Sequence, residues 1–215
     1  MEKEKKNFVH VNEFKIRGPI VRIDLNDVAV NIMLKIPNQN TPSVAKGGSA
    51  YCFPEVSFYS GKEEIFKRYK KGDNVEITGM LRQKKRVNKE TGSEFYDQYL
   101  TGETIVPSEK LLMREFGVDD GPAVEGINLV KVSGIVSAVI PVTEHVTRIK
   151  ILTFVNGKLN NLQGFLYGNT KKYTEMFHRD DQVMAVGTIE TAIKEKDDGT
   201  RRYRNLVITA ISKVN

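Results

Sequence analysis

The chain has 215 residues, with 33 Lys plus Arg against 27 Asp plus Glu, so its net charge is +6. That length holds one large domain or two small ones, and the modest basic surplus suits a polyanionic partner without requiring one. A single cysteine, Cys52, excludes an intrachain disulfide, and neither a signal-peptide pattern nor a membrane-length apolar run is present, so a soluble cytoplasmic protein is expected.

The first strand signal runs from Val11 to Asp24, with Phe14, Ile16, Ile20 and Val21 apolar and Gly18-Pro19 interrupting the alternation. Glycine inside a strand marks a bulge or bend, which small barrels need in order to close. Val28, Val30, Ile32, Leu34 and Ile36 alternate with other residues, the period of a second strand. A loop rich in Pro and Gly (37–49) follows, then a third strand from Tyr51 to Tyr59. Gly61 to Lys70 has Ile65, Phe66 and Tyr69 at helical spacing and stops at Lys71-Gly72-Asp73. Strands at Asn74–Leu81 and Phe95–Val106 complete the first half. The second half repeats the plan, with strands predicted at 128–141, 145–156, 162–168, 182–194 and 202–213 and a helix at about 170–179 carrying Tyr173, Met176 and Phe177 on one face.

The repetition is visible in the letters. Glu13-Phe-Lys-Ile-Arg-Gly-Pro-Ile-Val21 is answered by Leu129-Val-Lys-Val-Ser-Gly-Ile-Val-Ser137, and Val75-Glu-Ile-Thr-Gly-Met-Leu81 by Val183-Met-Ala-Val-Gly-Thr-Ile189. Three strands, a helix and two strands, met twice, is the OB-fold plan. The expected fold is all-β with short helices: two tandem five-stranded OB barrels, at residues 1–110 and 127–215, with a linker at 111–126.

Several of these segments resemble the bacterial and phage single-stranded DNA-binding protein family. Phe14-Lys-Ile-Arg-Gly-Pro-Ile-Val21 is similar to the family's opening strand, and Val56-Ser-Phe-Tyr59 with Glu63 to its third strand and helix start. Tyr69-Lys-Lys-Gly-Asp-Asn-Val-Glu-Ile-Thr-Gly-Met-Leu81 resembles its Lys-Gly turn and fourth strand. Arg82 to Arg86 with Gly92 and Phe95-Tyr96 resembles its basic hairpin and fifth strand. The likeness covers most of residues 11–108 and is weaker in the second half. It implies a non-enzymatic protein that coats and protects single-stranded DNA, or RNA, during replication, recombination or repair. It also implies a homodimer presenting four barrels. Two departures stand out. The chain has no Trp, where the family commonly stacks bases on tryptophans. It ends at Ile211-Ser-Lys-Val-Asn215 without the acidic tail that recruits partners, so tail-mediated recruitment is not expected.

Single strands offer a charged backbone and bare base faces, which Lys or Arg and aromatic rings meet respectively. Arg82-Gln-Lys-Lys-Arg-Val-Asn-Lys89 has five basic residues and no acid. Arg82, Lys84, Lys85, Arg86 and Lys89 are therefore candidate backbone contacts, the bland reading being a solvated hairpin. The candidate rings are Tyr51, Phe53, Phe58, Tyr59 and Tyr96, with Tyr99 sharing the ambiguity of Tyr96. The resemblance favours Phe58 for stacking. Strand parity sets Phe58 opposite Tyr51, Phe53 and Tyr59 and does not say which side is the groove. In the second half, Arg201, Arg202, Tyr203 and Arg204 form a weaker candidate, diluted by three acids nearby. The three histidines lack metal-ligand spacing, and no phosphate loop or activated nucleophile is present, so no cofactor and no enzymatic activity are expected. The competing reading is a protein-interaction scaffold in a replication or conjugation complex.

Overall fold

The computed structural model describes residues 8–37, 51–87, 92, 94–108, 126–196 and 199–214. The first half supplies β1 (Val11–Leu25), β2 (Val30–Leu34), β3 (Ile36–Pro37), β4 (Tyr51–Cys52), β5 (Glu55–Phe58), α1 (Lys62–Arg68), β6 (Asn74–Val87) and β7 (Glu94–Pro107). The second supplies β8 (Asn128–Thr143), β9 (Val146–Val155), β10 (Lys158–Tyr167), α2 (Thr170–Met176), β11 (Gln182–Lys196) and β12 (Gly199–Lys213). Each half closes a five-stranded barrel. The first runs β1-β2-β5-β7-β6 and back to β1, the second β8-β9-β10-β12-β11 and back to β8. The β5–β7 pairing is parallel, while β1–β2, β2–β5, β6–β7 and β1–β6 are antiparallel. Closure removes the exposed edges that an open sheet of such strands would carry.

Strand alternation fills the interiors. Ile16, Ile20, Ile32, Leu34, Val56, Ile77 and Leu100 are buried in the first barrel, and Val132, Val136, Ile149, Ile151, Leu162 and Val183 in the second. The glycines that make the repeat visible are where strands approach too closely for a side chain. A Cβ on Gly79 would come within 2.0 Å of the Thr101 carbonyl oxygen, and one on Gly187 within 2.1 Å of the Val207 carbonyl oxygen. The β6–β7 register shifts between Thr78 and Gly79, the bulge that sharp curvature requires.

The turn before the fourth strand is repeated hydrogen bond for hydrogen bond. In the first half, the Ile20 amide donates to the Asp73 carbonyl and the Gly72 amide to the Ile20 carbonyl. In the second, the Val136 amide donates to the Asp181 carbonyl and the Asp180 amide to the Val136 carbonyl. The Asp73 carboxylate accepts from the Lys70 amide at 2.9 Å, and that of Asp181 from the His178 amide at 2.7 Å. Gly72 (φ 95°) and Asp180 (φ 71°) hold the same left-handed position. Lys213 and the His178 amide hold the Asp181 carboxyl below its usual range.

The helices are short. α1 carries Glu63 and Glu64 in its first turn and Lys67 and Arg68 in its last, matching the helix dipole, and buries none of its own residues. Tyr69, just beyond it, is buried and donates its hydroxyl to the Ile105 carbonyl. Phe177 takes the same place after α2, whereas Phe66 and Met176, which share their helical faces with Tyr69 and Phe177, are 41% and 43% exposed. Across the β1–β6 ladder, Glu76 accepts from Lys15 at 2.8 Å and from Arg17 Nε at 3.0 Å. Burial pushes the Glu76 carboxyl up, but the hydrogen bonds from Lys15 and Arg17 outweigh it and leave it below its ordinary value.

The structure redraws two expected strand boundaries. Pro54 splits the expected third strand into β4 and β5. The expected fourth strand does not stop at Leu81: β6 continues through the basic residues Arg82 to Arg86 as far as Val87. The chain also divides into two compact units that do not follow the repeat, one of residues 13–130 with 188–206, the other of residues 1–12, 131–187 and 207–215. The outer arms of β11 and β12 thus belong to the unit containing the first barrel. Residues 111–125 of the expected linker lie outside the described residues.

Candidate nucleic-acid interface

The strand from Tyr51 to Tyr59 resolves by parity. Cys52, Pro54, Val56 and Phe58 are buried, whereas Tyr51, Phe53, Glu55 and Ser57 are partly exposed and Tyr59 is 47% exposed. Phe58 is only 3% exposed and lies over Gly102, where a Cβ would come within 2.3 Å of its ring. The stacking role that the resemblance favours for Phe58 is corrected: its faces are used inside the barrel. Tyr51, Phe53 and Tyr59 share the outward side. Lys35 Nζ sits 4.0 Å from the Tyr51 ring centroid, a cation–π contact.

Cross-strand neighbours complete this side. Arg22 pairs with Met33 and Met33 with Glu55, while Ser57 donates to Asn31 Oδ1 at 2.6 Å. A cavity of about 350 Å³ opens among Val21, Arg22, Met33, Phe53, Glu55, Thr191 and Arg204. One oxygen of the Glu55 carboxylate accepts from Arg22 Nη2 and the other from Arg204 Nη2 at 3.0 Å. Arg22 Nε also bridges to Asp24 at 2.6 Å. Within the same compact unit, the Phe53 amide donates to Thr191 Oγ1 at 2.8 Å. The buried Asn128 side chain exchanges two 2.8 Å hydrogen bonds with the Ile189 backbone. Cys52 Sγ lies 3.5 Å from the Ile189 carbonyl, and burial, with Glu190 adding to it, pushes its thiol up to about 12.

The β6–β7 ribbon carries the basic run. Arg82 faces Tyr99 and Lys84 faces Asp97, so Arg82, Lys84 and Arg86 share one side of β6 and Lys85 takes the other. Lys84, Lys85 and Arg86 are exposed. Arg86 Nε donates to Asp97 at 3.0 Å, which ties one of the expected backbone contacts to a carboxylate. Arg82 Nη1 is buried without a hydrogen-bond partner. Burial first, then nearby Tyr59, raises the Tyr99 phenol, with Arg82 pulling the other way. Arg82 and Tyr99 are direct cross-strand partners on this ribbon.

Lys89 and the side chains of Tyr96, Arg201, Arg202 and Tyr203 lie outside the described residues. Arg204 is described, and it joins the first barrel's cavity. Sequence reasoning missed Arg22, Met33, Glu55 and Thr191. Thr191 is 138 positions from Phe53, and nothing local in the sequence marks such a pairing.

The second unit has an outward side of its own on β9 and β10. Arg148 stands opposite Phe165, Lys150 opposite Gln163, and Phe154 opposite Leu159. Phe154 is 56% exposed and Leu159 66%, at the tip of a hairpin turned by Asn156 (φ 53°) and Gly157 (φ 70°). Arg148 Nε is buried without a hydrogen-bond partner. From His145 to Thr174 the sequence has five Lys or Arg and no acid. That run was the missed signal.

Among the described residues, no group of three His, Cys, Asp or Glu is placed to hold a metal, and no helix is long and apolar enough to cross a membrane.

The wild-type single-stranded DNA-binding protein from Thermus aquaticus superposes with a TM-score of 0.63, covering 97% of this chain and 95% of that one at 12% identity. A deletion variant of the same Thermus protein gives a TM-score of 0.64, covering 96% of both chains, again at 12% identity. The fold is that of a bacterial single-stranded DNA-binding protein. No family model and no curated protein matches the sequence. The likeness thus resides in the path of the backbone over nearly the whole chain, with side chains extensively replaced.

Proposed function

We propose that the chain binds single-stranded DNA on the outward sides of its two barrels and coats the strand during replication or recombination. The observation that carries this reading is the first barrel's outward side. Tyr51, Phe53, Tyr59 and Tyr99 lie there with Arg82 and Lys84, on a fold that the Thermus single-stranded DNA-binding protein shares. Exposed rings offer platforms for bases, at about 1–3 kcal/mol per stacked base, and the cations follow the backbone. Arg148, Lys150, Phe154 and Phe165 supply the same two elements on the second unit. Rings accept any base, so preference along a strand is weak overall. No chemical step on the strand is part of this reading, and two copies would present four barrels.

The test is a titration with labelled oligo-thymidine, the matching duplex and the corresponding RNA at several salt concentrations, beside a mass measurement of the free protein. Tight binding to single strands that weakens steeply with salt supports the proposal. Absence of binding at low salt ends it. A free-protein mass equal to one chain removes the dimer.

A further inference from the structure

The cavity beside Phe53 has a built polar edge that general strand coating does not need. Val21, Met33, Phe53 and Thr191 line it, and at about 350 Å³ it lies within the size range of small-molecule sites, roughly 300–1,000 Å³. At one edge stands Glu55, with Arg22 and Arg204 holding one carboxylate oxygen each. Each carboxylate oxygen has two lone-pair directions, so each can accept one more hydrogen bond. Arg22 gives its Nε to Asp24 and one Nη to Glu55, and Arg204 gives one Nη to Glu55. Both guanidiniums, with five N–H donors apiece, retain donors beside the carboxylate.

Read from either arginine, the edge runs donor, acceptor, acceptor, with the other arginine beyond the second acceptor. Its complement is acceptor, donor, donor, which among the four bases is the Watson–Crick edge of guanine: O6, N1–H and N2–H. Adenine and cytosine each offer one exocyclic donor beside ring acceptors, and thymine a single N–H between two carbonyls. Unpaired bases are read in this way, by hydrogen bonds to that edge while the face stacks on a side chain.

We propose that this cavity is a guanine pocket, with Phe53 against the base, Glu55 accepting from N1–H and N2–H, and Arg22 or Arg204 donating to O6. As a site on a strand, it rests on the single-strand reading above and adds one base-selecting position to an otherwise tolerant surface. A free guanine nucleotide presents the same edge, so the test separates the two sources.

Short labelled thymidine strands carrying one central guanine, adenine or cytosine are titrated by fluorescence anisotropy, with free GMP and AMP as competitors. The guanine strand is expected to bind roughly tenfold more tightly than the others, within the range of a bidentate base contact. GMP should abolish that advantage and AMP should not. Glu55→Gln, which replaces one acceptor by a donor, should bring the guanine-to-adenine ratio to about one. The wild-type comparison stands by itself if that variant misfolds. Equal affinity for all three strands, with no effect of GMP, overturns the pocket and leaves strand binding intact. GMP binding without any strand binding keeps the pocket and sinks the strand reading. If nothing binds, both fall.

Discussion

Phe53 and Phe58 are five positions apart, of like chemistry, and face opposite sides of the strand. Phe58 packs inside the barrel over Gly102, so Phe58→Ala should cost about 3–5 kcal/mol, read by urea denaturation. Phe53→Ala should leave the unfolding midpoint close to wild type and weaken oligo-thymidine binding by roughly fivefold or more, in line with the loss of one stacked base. Reversal of the two outcomes would mean that the assignment of faces is wrong. Glycine positions make a second residue-scale test. With Thr101's carbonyl oxygen where its Cβ would sit, Gly79→Ala should destabilise by about 2 kcal/mol or more, as overpacked sites do. A neutral result would show that β6 can straighten there.

The β6–β7 ribbon shows what one sequence conveys about an element and what it withholds. The alternation of Val75, Ile77 and Leu81 makes the strand legible, and the charge density of Arg82–Lys89 makes the basic patch legible. That the strand runs on to Val87 is not legible, because the pairing partner, Glu94 to Tyr99, is supplied from beyond the turn. Side assignment on the third strand was half legible: parity separates Phe58 from its neighbours, but only the closed barrel says which side is interior. The cavity could not be read at all, since Arg22, Glu55 and Arg204 meet through pairings across long stretches of chain. Replacing Lys84, Lys85 and Arg86 together by Ala should weaken strand binding and make the salt slope shallower by up to about two, at roughly 0.7 per phosphate contact on single strands. An unchanged slope would favour the scaffold reading, in which these charges only keep the ribbon solvated. The β1–β6 ladder has a pH signature. Because the Glu76 carboxyl lies below its unfolded value of about 4.5, its contribution is complete above that value and is lost as pH falls through the depressed folded value. Glu76→Gln should remove that part of the acid dependence, at most about 1 kcal/mol given the exposure of Lys15 and Arg17. Parallel wild-type and variant stability curves from pH 6 to pH 3 would contradict the assignment.

At the scale of the whole molecule, the duplicated letters translate into duplicated physics: the same left-handed position at Gly72 and Asp180, and the same aspartate cap at Asp73 and Asp181. The halves have diverged where ligands would meet them. The first barrel's outward side has Glu55 between two arginines, while the second's has an acid-free run with Phe154 at a hairpin tip. The measurement that bears most directly on a strand-binding role for both barrels is hydrogen exchange of the full chain, free and saturated with oligo-thymidine. The account predicts slowed exchange at residues 51–59, 82–87 and 94–99 in the first barrel and 146–167 in the second, with the helices unchanged. Failure of the oligonucleotide to bind, or binding that slows exchange only outside those strands, would contradict it.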